Sequence, residues 1–439
     1  MQKSNSATNI FFIIYIVFAL LISGCQKESV FLEHFKPEVV INANDARLKA
    51  GTIHLFRDTV YLLKTNIVRN AGQVLHVDAG TIIEVDMQVS ITINPGGVIE
   101  AIGTVNEPIV FTLAAYRGLK GGTTQEFNGA KILWNGIRIY GAANTSNDTG
   151  SGILSYVRIE FAGQSFNGDS KGAFYLNNVN AKTKISNIQV SYSELPAFDF
   201  EGGNVNASKL IAYASWQSDF KLHGGYHGKL QNLLAYRHPN FFFGGQIAGL
   251  EVRDPETFPI ISNLTVLGPD GQPGFNSSGT VNAAFLATTD AKFQLANSVL
   301  TGFPQGGFYM DNLKTATSLH SGESAMTYSV AICKDPLKAF VFPLRTPEET
   351  KWFMLNPDFH NEQLLNISEL KLDSPSNFDT GPNPSPKAES QLLKGANFSG
   401  LFTDAFFNKV AYRGAIGIGE DNWLQGWTNF IPLQTNYNY

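Results

Sequence analysis

Charge and cysteine are both scarce in this sequence, and each shortage removes a class of protein. Charged residues make up 16% of the 439 positions, against ~25% in an ordinary soluble domain. Lys and Arg number 32 against 37 acids, a formal net charge of −5. That balance excludes a nucleic-acid partner, which requires a basic face. The two cysteines, Cys25 and Cys333, are too few for a disulfide framework, so apolar burial must hold the fold. The apolar run Ile10–Ile22 has thirteen residues, short of the ~20 that a spanning helix needs. Helix-period segments long enough for βαβ crossovers are missing from the middle of the chain. Phe (33) and Gly (41) are plentiful instead, which suits short stacked strands joined by tight turns.

The run Ile10–Ile22 fits a signal-peptide core. It ends in Ile22-Ser23-Gly24-Cys25, which resembles the lipobox of bacterial lipoproteins. The resemblance implies cleavage before Cys25, acylation of Cys25, and a lipid anchor that makes the outer membrane a partner. Either face of that membrane stays open, and Gln26-Lys27-Glu28, which resembles a surface-export signal, favours the cell surface. The mature chain is longer than the ~250–300 residues at which single cores stop growing, so it forms several domains or an elongated solenoid.

Internal repeats decide between these. One strand type recurs at Gly136–Tyr140, Tyr156–Glu160, Ser186–Val190, Lys209–Tyr213, Asn232–Tyr236, Ser262–Val266 and Ala296–Leu300, with steps of 20 to 34 residues. A second recurs as FYLNN (Phe174–Asn178), FDFEGG (Phe198–Gly203), FKLHGG (Phe220–Gly225) and NFFFGG (Asn240–Gly245), and again as FYMDN (Phe308–Asn312). Each alternates apolar and polar residues, the period of a half-buried strand. Steady repeats without helices specify an all-β fold, a coil of parallel strands. Alternation turns Phe174, Phe198, Phe200, Phe220 and Phe242 inward, and the glycine pairs supply the positive φ of a corner. Asn187, Asn232, Asn263 and Asn297 share one repeat position and read as a structural amide stack at a turn. Val74–Val85 and Ile91–Gly103 read as narrower coils, with Gly80 and Gly96 sixteen residues apart. Ala114–Lys131 reads as an inserted loop, Asp373–Ser390 as a Pro/Ser/Asn-biased stretch, and Thr346-Pro347-Glu348-Glu349 as a helix start. The expected organisation is a leader at 1–24, a tether and entry at 25–60, the solenoid at 61–335, and a small irregular C-terminal cap at 336–439.

The segments Tyr61–Ile83, Gly103–Thr112, Leu154–Gly163, Phe200–Leu210, Gly224–Gln231, Ser262–Pro269, Ala411–Gly417 and Asn422–Phe430 resemble a family of bacterial outer-membrane lipoproteins. Their fold is a right-handed parallel β-helix of pectin-lyase-like architecture. The resemblance covers most of the chain between Tyr61 and Phe430, and it implies fold and location more than activity. Relatives carry acidic pairs before the two glycine-pair rungs. Here Leu195-Pro196 and Gln217-Ser218 stand there with Asp219 alone retained, so the cation site that the resemblance implies lacks most of its acids and its presence here stays open.

The outward letters of the second repeat form a candidate binding strip: Tyr175 and Asn177, Asp199 and Glu201, Lys221 and His223, Phe241 and Phe243, then Tyr309 and Asp311. Trp216, Tyr226, His227, Arg237 and His238 lie in adjoining turns. Carboxylates, a histidine, a lysine and aromatic faces on one strip suit a sugar, and a carboxylate pair can also act as general acid and base. The structural alternative is cross-strand pairing of Asp199 with Lys221 and Glu201 with His223, worth ~0.2–1 kcal/mol per pair. His223 and His227 flank a turn rather than share a helix face, so no zinc site is expected there. Asn144–Gly152 has one carboxylate, Asp148, and reads as a turn rather than a calcium loop. No cofactor and no metal are expected. The reading is a lipid-anchored envelope β-helix presenting a side face to a glycan or an envelope protein without catalysis. The alternatives are a polysaccharide lyase or glycoside hydrolase and a purely structural envelope protein. Sugar lyases of this fold, the resemblance implies, need several acidic calcium ligands with a basic residue beside them.

The anchor is directly testable. Cys25→Ala should leave a chain that incorporates no labelled fatty acid, whereas normal acyl labelling of that variant would remove the lipoprotein reading.

Overall fold

The structure, a computed structural model, describes residues 36–116, 133–142, 149–164, 170–241, 247–272, 274–275 and 281–437. The leader, Cys25, most of Ala114–Lys131, most of Asn144–Gly152, and residues 242–246 with Phe242 and Phe243 lie outside the described residues.

The strands wind into a parallel β-helix. One face is a ten-stranded sheet that begins with Ile67–Arg69 and Ser90–Ile93 and ends with Gly306–Met310 and Phe340–Val341. A seventeen-stranded sheet makes the rest of the wall. In the first rungs that wall is two separate columns. Val60–Leu63, Ile82–Val85 and Ile109–Leu113 stack in one, and Thr52–Leu55, Val74–Val77 and Val98–Ile102 in the other. Both run into the long strand Gly152–Glu160, whose first half pairs with Val98–Ile102 and second half with Ile109–Leu113. Gly72 N–H bonds Gly96 O at 3.0 Å while Gly80 N–H bonds Glu107 O at 2.9 Å. Gly80 and Gly96 therefore occupy different corners of one coil, not equivalent corners of two narrower ones.

The long strands bend at one repeated position. Tyr156, Asn187, Lys209, Asn232, Asn263, Asn297 and Tyr328 all adopt φ between 51° and 58°, and the ladder skips each in turn. Asn enters this left-handed region more readily than other residues with a side chain, which explains four asparagines in the column. Their amides reach outward from the column rather than to one another. Asn232 Nδ2 donates to Ala415 O at 2.8 Å and Asn263 Nδ2 to Tyr412 O at 2.9 Å. Asn297 Nδ2 donates to Asn397 O at 2.9 Å, and the Asn397 N–H returns a bond to Asn297 Oδ1 at 2.8 Å. Gln231 and Gln189 hold the backbones of Asn408 and Asn429 by the same two-point pattern.

The C-terminal region is thus a strap as well as a cap. It returns from the Asn297 rung along the outside of the bend to the Glu160 rung, where Tyr437 Oη donates to Glu160 Oε1 at 2.6 Å. The coil itself is longer than 61–335. Glu38–Ile41 already pairs with Val60–Leu63, and Glu362–Leu364 pairs with Val330–Ile332. The helix expected at Thr346 spans Pro347–Met354, with a reciprocal Thr346–Glu349 capping box. In the Asp373–Ser390 stretch, Asn383–Pro386 pairs antiparallel with Leu372–Ser374.

Inside, Ile137, Phe174, Phe198, Phe220, Leu250, Phe285, Phe308 and Phe340 stand over one another. The Phe198 and Phe220 rings stack at 4.9 Å. Two sequence expectations change here. Gly136–Tyr140 belongs to this column, since it pairs with Phe174–Asn177 rather than with the long-strand stack. The rung after Phe220–His223 is Ile247–Val252, not NFFFGG. In the turn that follows Lys229–Tyr236, Arg237, His238, Pro239 and Phe241 are buried. Arg237, fully buried, donates to Ser215 O at 2.7 Å and Gln217 O at 2.8 Å and pairs with Asp219 at 3.0 Å. Phe241 is 1% exposed, packed on Tyr192, Trp216 and His238. Its expected outward orientation is wrong because Phe241 stands in a turn, where strand alternation does not set its direction. Cys333 is buried as well, with its thiol bonded to Phe303 O at 3.2 Å and pushed up to about 12 by burial.

Backbone strain at the bend predicts opposite signs for two substitutions. Lys209→Asn should raise the unfolding free energy by about 1 kcal/mol, because Asn suits the left-handed position. Asn263→Ala should lower it by about 3 kcal/mol by leaving two strap carbonyls unpaired, and should open the strap to protease. Chemical denaturation and limited proteolysis check both.

Burial also sets a pH response. It pulls the His238 imidazole down to about 4 from 6.5, so acidification protonates the unfolded chain first and costs stability. It pushes Asp219 up to about 6 from 3.8, against the pull of Arg237, so the same acidification favours the folded chain. His238→Phe removes only the first effect. The variant should therefore gain about 2 kcal/mol relative to the native chain on going from neutral to mildly acidic pH, measured by denaturant unfolding at both. A constant difference would show that His238 does not titrate against folding.

Candidate functional site

Four consecutive rungs of the ten-stranded sheet carry polar side chains on their outer face. The rungs are Phe174–Asn177, Phe198–Glu201, Phe220–His223 and Ile247–Val252. Their register places Tyr175, Asp199, Lys221 and Glu251 in one row and Asn177, Glu201 and His223 in the next. Alternation produces this, since Phe174, Leu176, Phe198, Phe200, Phe220 and Leu222 fill the core from the same strands. The glycine pairs behave as expected. Gly202, Gly203, Gly224 and Gly225 all have positive φ, and a Cβ on Gly203 would lie 2.4 Å from Val179 O.

The bonds within the rows run diagonally, not between the directly opposed pairs expected. Asp199 Oδ1 lies 2.8 Å from His223 Nε2, and Asp199 Oδ2 accepts the Gly172 N–H at 3.0 Å. The other imidazole nitrogen, Nδ1, faces Asp254 Oδ2 at 3.9 Å, while that carboxylate accepts the Gly224 N–H at 3.0 Å. The Tyr175 hydroxyl donates to Glu201 and accepts from Asn177 Nδ2 at 3.1 Å. Lys171 lies over the Tyr175 ring at 5.3 Å. Glu251 bonds Ser218 Oγ and Arg253, each at 3.3 Å.

Burial shapes the chemistry of these groups. It raises the Tyr175 phenol well above its ordinary range, and the Glu201 carboxylate adds to the effect, so the phenol is a donor rather than a base. Burial also raises Glu251, against the opposing charges of Arg253 and Lys221. Asp199, only 2% exposed, is a carboxylate locked between an imidazole and a backbone N–H. Lys221 and His223 are partly open. Such a face can donate and accept hydrogen bonds at fixed spacing.

Of the residues expected in the strip, the structure brings Tyr175, Asp199, Glu201, Lys221 and His223 together. It does not add Trp216 and Phe241, which belong to the core cluster; Phe243 lies outside the described residues. Tyr309 stands in the same row but beyond Leu286, and Asp311 is occupied by the Thr288 hydroxyl at 2.6 Å. Glu251, Arg253 and Asp254 were not anticipated, because GLEV has neither the phenylalanines nor the glycine pair of its neighbours. A second unanticipated group, His54, His76 and Asp78, lies on earlier rungs and is the described set that could hold a metal ion. Its signal was present in TIHL (Thr52–Leu55) and VLHV (Val74–Val77), which carry histidine at one strand position.

The sequence model of a pectate-lyase-like β-helix domain matches residues 47–335. No curated protein and no solved structure matches the chain. The matched span is about two thirds of the chain and holds most of the parallel rungs, including all four that carry the polar rows. With its rungs in parallel register and the greater part of its length matched, this chain belongs to the pectate-lyase-like β-helix domain family.

Proposed function

We propose that the chain is a lipid-anchored envelope protein whose β-helix binds a glycan along the rows Tyr175–Glu251 and Asn177–His223, without cleaving it. The anchor rests on the lipobox-like Ile22-Ser23-Gly24-Cys25. No helix among the described residues is long and apolar enough to cross a membrane. The observation that carries the binding reading is the partly exposed group Asn177, Glu201, Lys221 and His223 on three successive rungs, ~4.8 Å apart, which offers a polymer donors and acceptors at fixed spacing. Hydrogen bonding, not ring stacking, is what this face supplies, since Tyr175 is 3% and Trp216 7% exposed.

Binding without cleavage fits the state of the acids. Asp199 is tied to His223 and Gly172, Glu201 to Tyr175, and Glu251 to Ser218 and Arg253. A general acid–base pair needs one carboxyl free to give its proton and one free to take it. The enzyme reading draws on one specific feature, the chain of contacts Asp199–His223–Asp254, which could orient an imidazole for proton transfer.

The test is a glycan array on the purified chain, followed by calorimetry with the glycan retained. Lys221→Ala and Glu201→Gln should each weaken binding at least about tenfold, the loss of roughly one charge-assisted hydrogen bond, with little change in melting temperature. Unaltered affinity in both variants would remove the face from function. Release of shortened or unsaturated products by the native chain, lost in His223→Ala, would replace binding with catalysis.

A further inference from the structure

The N-terminal rungs hold a second polar row. Thr52–Leu55, Val74–Val77 and Val98–Ile102 pair in register, with His54 opposite His76 and His76 opposite Glu100. Ile53, Leu55, Leu75, Val77, Ile99 and Ala101 are buried in the coil, so alternation turns the two imidazoles and the glutamate outward. Asp78 follows directly, its backbone fixed by a bond from its N–H to Leu55 O at 3.0 Å. Asp78 Oδ1 lies 2.7 Å from His54 Nε2 and 3.4 Å from His76 Nε2. The ligand atoms of His54, His76 and Asp78 all lie within 4.8 Å of one another. The rings meet edge-on at 4.5 Å, and Phe56 packs on the His54 ring at 3.9 Å.

We propose that His54, His76 and Asp78 form a site for a divalent transition-metal ion of the zinc class, bridging consecutive rungs, with Glu100 as its outer hydrogen-bond partner. Glu100 orients one of the ligands. His76 Nδ1 is 2.8 Å from Glu100 Oε2, which leaves Nε2 turned toward Asp78 Oδ1, 3.4 Å away. This carboxylate–histidine–metal arrangement is the usual way a protein orients an imidazole ligand. Ligands ~2.0–2.2 Å from a tetrahedral ion stand roughly 3.4 Å apart. The His76–Asp78 separation already has that value, and His54 needs to withdraw only slightly. Two imidazoles and one carboxylate select zinc, nickel or copper over calcium or magnesium. The side chains of His54 and His76 are 39% exposed, so the ion has an open path and keeps a position for water. The donors come from adjacent turns of the coil, so a bound ion also pins those turns together.

The test uses the full chain, chelator-stripped and titrated calorimetrically with ZnCl2 and separately with CaCl2. One zinc ion should bind per chain, and calcium should bind far more weakly. His76→Ala and Asp78→Asn should each weaken zinc binding at least tenfold, and Glu100→Gln by about tenfold through loss of the outer bond. Cys333→Ser should bind as the native chain does, because that thiol is buried elsewhere. Circular dichroism guards against misfolding. Bound Co2+ gives an independent readout, as its visible absorption should vanish in His54→Ala. Absence of zinc binding by the native chain, or binding undisturbed in a His54→Ala/His76→Ala double variant, would overturn the site. So would equal affinity for calcium.

Discussion

In a parallel coil each rung takes its backbone hydrogen bonds from the rungs above and below, so residues at one repeat position are forced into one vertical column. Whatever the column contains is repeated in space at the strand spacing. An apolar column becomes a stack such as Phe174, Phe198 and Phe220. A left-handed column becomes a continuous bend, Tyr156 through Tyr328. A polar column becomes a row of neighbours held closer than flexible side chains would choose. The core, the bend and both polar rows are consequences of this single geometric demand.

The same demand creates the need for the C-terminal strap. At the bend the ladder is interrupted, and the side chains of Asn232, Asn263, Asn297, Gln189 and Gln231 are all buried. Buried amides need partners for both ends, and one column cannot satisfy itself by stacking alone. The strap supplies backbone carbonyls and N–H groups at the required points. Its aromatic residues complete the cover, with Trp427 against Tyr156 and Phe430 against Tyr213 and Tyr236. Long strands such as Ile260–Leu267 are therefore buried on both faces, seven of eight residues fully so. The strap is held both by these hydrogen bonds and by apolar packing along its length.

Sequence carried the repeat but not what folds onto it. Phe198 and Phe220 were recognisable because each recurs with its glycine pair, and Val157, Ile188, Leu210, Leu233 and Leu264 because they keep one register. NFFFGG imitated that pattern in six letters, yet its described part, Asn240 and Phe241, lies outside any strand. Local alternation cannot distinguish a rung from a turn, and the true rung, Ile247–Val252, lacks the marker residues. The strap was hidden for a different reason. Its bonds join residues 100 to 240 positions apart through single amides, and no periodicity records them. In the polar face, membership of Asp199, Glu201, Lys221 and His223 followed from alternation. Their diagonal pairing depends on rotamers that spacing alone does not determine.

The two polar rows differ in one physical respect that separates their uses. Around Asp199 the donors and acceptors balance: the carboxylate has an imidazole and an N–H, Glu201 has a phenol, and Asp254 has an N–H. A balanced row is stable by itself, and the glycan proposed for it would be met through the remaining lone pairs and protons. The row at His54 gathers its polar atoms around one point instead. Asp78 Oδ1 lies 2.7 Å from His54 Nε2 and 3.4 Å from His76 Nε2, while His76 Nδ1 meets Glu100 Oε2 at 2.8 Å. The parallel ladder fixes the backbones of these turns, so the three ligand atoms converge within 4.8 Å of one another, the geometry on which the proposed ion rests.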